Sequence, residues 1–287
     1  MRNWSLVCFT LFTQSAIGLV WVSVMGRWFG GGTRADFSIG PMSITLILTG
    51  LGMYAALAHL AKPRLAPNAL RNLTASWLSR EVLLVQTFAG AVALLILISL
   101  LDTSSGLVIL EAAACLLGGA ALFAMTRVYL LKTVPVWNSP ATLLEFAGSA
   151  MLLGGALGAV LTAFRDTDQS GWSPALIVAA IGILLGLILK FTAISPALAA
   201  EQAARAQTWY EPADAPLSIC RALTVRIGLN LAGLVLILTA MSGSGPTWLW
   251  SCLCLACLGT AEVVGRQRFY KAYRLSLIHI SEPTRRH

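Results

Sequence analysis

Glu81-Val-Leu-Leu-Val-Gln-Thr-Phe-Ala-Gly90-Ala-Val-Ala-Leu-Leu-Ile-Leu-Ile-Ser-Leu-Leu101 opens on a carboxylate and then runs without another charge to its end. At a helical rise of about 1.5 Å per residue, such a run crosses a hydrocarbon core of about 30 Å. Seven more apolar runs flank it, at about 4–25, 39–61, 107–131, 141–164, 173–194, 219–241 and 247–265. The 287 residues are 57% hydrophobic and only 11% charged, whereas soluble domains carry about 25% charged residues. The expected fold class is an all-α integral membrane protein, a bundle of eight transmembrane helices, with residues 1–274 as a single domain. The first run is longer than the roughly 7–15-residue core of a cleavable signal, so it is read as a retained helix.

Charge distribution orients the bundle. With eight spans, both termini and the even-numbered loops share one side, which collects fifteen Lys and Arg residues between Arg2 and Arg274. The other side has only Arg27, Arg34 and Arg165. The positive-inside bias predicts both termini in the cytoplasm. It also accounts for most of the net charge of +8 without a nucleic-acid partner. Small residues recur within runs, as in Gly118-Gly119 and Gly154-Gly155-Ala-Leu-Gly158, and in lipid they let helix backbones approach closely.

The tail changes character. Leu275-Ser-Leu-Ile-His-Ile-Ser-Glu-Pro-Thr-Arg285 resembles the translation of a transposase sequencing adapter, so residues 275–287 are read as a non-native tail and set aside. His59 is then the sole remaining histidine.

Ionisable residues inside spans are costly and are read first as functional. They are Glu81, Glu111, Arg127, Glu145, Arg226 and Glu262, with His59 at the end of the second run. Glu111 falls near the outer end of its helix and reads as interfacial. The others gather toward the cytoplasmic ends. Glu262 and Arg266 stand i,i+4 in the favourable order and read first as a plain helix pair. Arg127 reads equally as a snorkelling anchor. Set against a satisfied interfacial histidine and a helix-start carboxylate favoured by the dipole, His59 and Glu81 together support a proton-accepting pair. A quinol that loses two electrons must also lose two protons, and an imidazole and a partly buried carboxylate suit that work.

The available ligands restrict how the electrons travel. A b-haem in a helical bundle needs axial ligands such as paired histidines, and only His59 precedes the tail. Cys252, Cys254 and Cys257 lie mid-run and read as small packing residues. The expectation is therefore no haem, no iron–sulfur cluster and no metal in this chain, with electrons passing to a centre in another subunit.

At these residues the chain resembles the membrane anchor subunits of bacterial dimethyl sulfoxide reductases. Phe9-Thr10 with Gln14 and Gly18 resembles the family's first helix. His59-Leu60, Pro63, Asn68, Leu70, Ser76, Leu78-Ser79 and Glu81 resemble its histidine loop. Arg127-Val128-Tyr129 with Thr133-Val134-Pro135 and Trp137 resembles its middle motif, and Glu262-Val-Val-Gly265-Arg266 with Phe269-Tyr270 its final helix. The resemblance implies a multi-pass anchor of the bacterial inner membrane, without redox centres, that oxidises menaquinol. It implies two partners, a four-cluster iron–sulfur subunit and, beyond it, a molybdopterin catalytic subunit. It assigns quinol binding to His59 and Glu81. Arg127 is expected to orient the carboxylate or the quinol headgroup. The chain departs from the family at Ala61-Lys62, where Gly-Ser is common, and at Arg80, where Asn is common; the added positive charge bears on the acidity of the pair and on headgroup fit.

Two rival readings stay open. A haem-free anchor of a polysulfide- or tetrathionate-type reductase would share the eight spans. A small secondary transporter would instead line a midplane site with Glu81, Glu145 and Arg226, although such sites usually sit on paired broken helices.

Overall fold

A computed structural model describes residues 4–30, 34–59, 70–101, 107–134, 136–165, 173–206 and 215–278. Within those, the side chains of 30, 34–38, 59, 204–206, 215–220 and 271–278 fall outside the described part. Eight helices follow in order, α1 Trp4–Gly30, α2 Arg34–His59, α3 Trp77–Leu100, α4 Leu107–Tyr129, α5 Pro140–Arg165, α6 Pro174–Ala206, α7 Ala215–Met241 and α8 Thr247–Ile278. All eight are long and apolar enough to cross a membrane.

α1 is the inner helix, with 78% of its most apolar window buried. It packs on α2, α4, α5, α6 and α8. α2 and α7 lie at the periphery, with 22% and 17% of their windows buried. That contrast requires close backbone approach around α1, and glycine supplies it. A Cβ on Gly18 would stand 1.7 Å from the Ala150 carbonyl oxygen, and one on Gly154 would stand 2.1 Å from the Gly18 backbone. Gly155 and Gly186 give the α5–α6 seam the same closeness, each leaving no room for a Cβ against the facing backbone. The small-residue pattern of α5 therefore marks two interfaces at once.

Helix boundaries depart from the apolar runs at two ends that matter. α3 begins at Trp77, where Ser76 caps it by accepting from the Ser79 amide at 3.3 Å. Glu81 thus lies one turn inside the helix, not at its first residue. α6 continues through Pro196 to Ala206, although the proline reads as a stop. Proline removes one intrahelical donor but does not by itself end a supported helix. Ser139 donates to the Pro196 carbonyl at 3.4 Å and ties α6 here to the start of α5.

At the opposite end of the bundle, Glu111 at the start of α4 is 3% exposed. It binds Arg27 and accepts from the Trp28 indole at 3.0 Å. The glutamate that reads as interfacial in the sequence is a buried clasp between α1 and α4.

Candidate functional site

Glu81 sits on a stripe of α3 that continues through Val85, Phe88, Val92 and Leu95, all buried. The spacing keeps one helix face inward, so the carboxylate points into protein at 2% exposure. Its Oε1 has no hydrogen-bond partner. An acceptor left unmatched in a low-dielectric interior is costly, and such a group is a reactive one when a proton donor arrives. Tyr129 and Tyr270 lie within electrostatic reach of it. Their hydroxyls bond to one another at 2.8 Å, and Tyr270 continues to Thr10 at 3.4 Å.

His59 closes α2, the helix that packs against α3. Its imidazole and the loop 60–69, with Leu60, Pro63 and Asn68, lie outside the described residues. The pairing of His59 with Glu81 therefore rests on chain topology, which brings the end of one helix beside the start of the next.

Arg127 does not reach Glu81. Its guanidinium stands 5.0 Å from the centre of the Trp77 ring on the exposed side of α4. Arg80 stands 4.3 Å from the same ring and donates to the Leu73 carbonyl at 2.8 Å and the Thr74 carbonyl at 2.6 Å. Both arginines thus lie over Trp77, and Arg80 also binds the loop before α3. The expectation that Arg127 orients Glu81 is not met by any bond. Arg80, the departure from the family pattern, spends its donors on its own loop.

A second polar group fills the interior between α5, α6, α7 and α8. Lys190 of α6 donates to Glu145 at 2.8 Å, to Ser149 at 2.8 Å and to Glu262 at 2.7 Å. Arg226 of α7 grips Glu145 through both carboxylate oxygens, at 3.0 Å for one pair, and stands 3.7 Å from Glu262. Arg266 donates to Gln14 at 2.6 Å and to Ser149 at 3.0 Å, with its guanidinium 4.1 Å from the Phe146 ring centre. Two expectations change here. Glu262 and Arg266 do not form the i,i+4 pair, because each finds a partner on another helix. Lys190, counted from sequence as a charge on the cytoplasmic side, is 3% exposed inside the bundle. The signal that marks it was its place before the end of the apolar run 173–194. A transporter site would need Glu81 together with Glu145 and Arg226; only the last two meet.

The stretches that carry the family resemblance converge. Thr10, Tyr129 and Tyr270 share one hydrogen-bonded group, Gln14 meets Arg266, and the Trp137 indole donates to the Phe269 carbonyl at 2.8 Å while its ring stacks on that phenyl at 5.1 Å. Residues far apart in the sequence thus build one wall of the bundle near Glu81. Among the described residues, no three His, Cys, Asp or Glu side chains gather as metal ligands.

The family model described as DMSO reductase anchor subunit (DmsC) matches residues 1–272. The protein is 31% identical over 190 residues to the anaerobic dimethyl sulfoxide reductase chain YnfH of Escherichia coli, an alignment that covers 64% of this sequence and 65% of that one. It is 30% identical over 153 residues to the C subunit of the anaerobic dimethyl sulfoxide reductase of Haemophilus influenzae, covering 52% and 54%. It is 29% identical over 184 residues to the C subunit of the Escherichia coli anaerobic dimethyl sulfoxide reductase, covering 62% and 63%. Each alignment spans less than two thirds of the relative's length. No solved structure matches.

Proposed function

The chain belongs to the DMSO reductase anchor subunit family, and from that premise we propose that it is the quinol-oxidising membrane anchor of a molybdoenzyme reductase in the bacterial inner membrane. Its substrate would be menaquinol. The electrons would pass to a four-cluster iron–sulfur subunit and from there to a molybdopterin catalytic subunit.

The observation that carries the reading is Glu81, an inward carboxylate whose Oε1 lacks a partner, one turn inside a capped helix that follows the His59 loop. A hydroquinone hydroxyl is a donor that would satisfy that oxygen. As each electron leaves, the phenolic O–H becomes more acidic and its proton goes to a positioned base. His59 would accept one hydroxyl's hydrogen bond and proton, and Glu81 would take the other and hand it on. Tyr129 and Tyr270, within electrostatic reach of Glu81, are groups that both donate and accept. Arg127, seated against Trp77, would meet the headgroup rather than the carboxylate. The Lys and Arg bias supports cytoplasmic termini even after three buried cations, Lys190, Arg226 and Arg266, are removed from the count, leaving twelve against three.

Quinol-analogue titration and quinol-dependent reduction in His59→Ala and Glu81→Gln variants of the assembled complex test this. Loss of tight analogue binding or of turnover is expected in each. Wild-type behaviour in both variants would reject the assignment.

A further inference from the structure

A cavity of about 100 Å³ lies between α5, α6, α7 and α8. It sits where α5 and α7 begin and α6 and α8 approach their ends, so it shares the Glu81 end of the bundle. Arg226, Glu262 and Arg266 line it beside apolar Ile194, Leu198 and Phe269.

The charges around it do not balance. Glu201 pairs with Arg268, Glu145 with Arg226, and Glu262 with Lys190. Arg266 is left, bonded to neutral Gln14 and Ser149. Among the described residues no carboxylate lies within ion-pair distance of it. A guanidinium does not give up its proton in a protein, and at 4% exposure it is costly to leave without a counter-charge. The hydrogen bonds do not balance either. Arg226 Nε is buried without an acceptor, and Glu262 Oε1 is buried without a donor.

An occupant that answers all three needs carries negative charge, accepts from guanidinium nitrogens, and donates a hydrogen bond to a carboxylate. A halide lacks the donor, a metal cation has the wrong charge for Arg266, and water lacks the charge. We propose that this cavity binds a phosphate-ester anion carrying a free hydroxyl, the chemistry shared by a phosphatidylglycerol headgroup and free glycerol phosphate. The phosphate would face Arg266 and Arg226, the hydroxyl would face Glu262, and Ile194, Leu198 and Phe269 would take the hydrocarbon side. Basic clefts between helices at the cytoplasmic surface suit anionic lipid headgroups. The site shares Arg266 and Phe269 with the wall near Glu81, but its charge and hydrogen-bond deficits do not rest on the quinol reading.

The full-length protein, purified in a neutral detergent and stripped of lipid, is titrated separately with phosphatidylglycerol, phosphatidylcholine and glycerol phosphate, with bound ligand read by native mass spectrometry. One equivalent of phosphatidylglycerol, with no matching phosphatidylcholine, upholds the site as a lipid site. Binding of glycerol phosphate at the same concentrations upholds it as a site for a soluble ester. Arg266→Gln, which removes a charge-assisted bond, weakens either ligand by about tenfold or more. Leu198→Trp fills the cavity without touching an ion and does the same, keeping the test open if Arg266→Gln does not fold. Arg71→Gln, on an exposed turn, leaves binding unchanged. Equal binding of both lipids, binding of none of the three, or unchanged binding in Leu198→Trp overturns the proposal.

Discussion

Lys190 of α6 and Glu262 of α8 meet at 2.7 Å in the bundle interior, 72 residues apart in the sequence. Lys190 also holds Glu145, so one ammonium bridges carboxylates from two further helices, and Arg226 supplies the second positive charge at Glu145. Removing it leaves Glu262 buried without its paired cation, a change that costs about 3–5 kcal/mol for a buried pair. Lys190→Met should therefore lower the unfolding temperature of the detergent-purified protein sharply. The double variant Lys190→Met/Glu262→Gln should recover part of the loss, because the orphaned charge goes with its partner. Equal stability of the single variant and wild type would show that the ammonium is dispensable.

Glu81→Gln should separate function from folding. The amide has a similar shape and removes a carboxylate whose Oε1 makes no bond, so stability should hold or rise. Quinol-dependent turnover should fall by about 10²–10⁴, the range for loss of a general acid–base group. A fall in unfolding temperature comparable with that of Lys190→Met would assign Glu81 to the fold instead.

Gly18 and Gly90 make a matched comparison within apolar helices. A methyl at Gly18 collides with the Ala150 carbonyl, whereas one at Gly90 meets nothing within 4 Å. Gly18→Ala should force α1 and α5 apart at a cost of about 1–3 kcal/mol or more. Gly90→Ala should be neutral or slightly stabilising through helix propensity. Membrane expression and thermal unfolding of the two variants read the difference directly.

Tyr129 and Tyr270 share a hydroxyl–hydroxyl bond inside an aromatic group with Trp137, Phe146 and Phe269. Tyr129→Phe and Tyr270→Phe each keep the ring packing and remove one end of that bond. Each single variant should cost about 0.5–1.5 kcal/mol, and the double variant less than their sum. Strict additivity in a double-mutant cycle would mean the hydroxyls do not interact.

The spans were legible in the sequence because lipid imposes length and apolarity on every crossing segment, and the eight runs coincide with eight helices. The burial of Glu81 was legible only in part, since the sequence shows a carboxylate opening an apolar run, whereas the turn Trp77–Arg80 that sets it inside α3 depends on the Ser76 cap. Partner choice was not. Spacing shows that Glu262 and Arg266 share a helix face, but not that Lys190 and Gln14 stand closer to hand on other helices. Lys190 was hidden by its charge, which reads as a loop marker, and by Pro196, which suggests a helix end just beyond it. Arg127 shows the converse. Its neighbour in space is Trp77, and no sequence spacing connects the two.

α1 carries Thr10, Thr13, Gln14 and Ser15 on surfaces that the finished bundle encloses, yet the helix precedes α5, α6 and α8 in the sequence. During synthesis these polar groups reach the bilayer before the helices that will cover them, and Gly18 waits for Gly154 to be made. The innermost element of the protein thus precedes in the chain most of the helices that enclose it, so assembly must close around a helix already in place rather than insert one into a finished ring. Folding efficiency should accordingly depend on how long α1 waits for α5, α6 and α8, a matter of translation and insertion timing that the equilibrium contacts of the bundle do not contain.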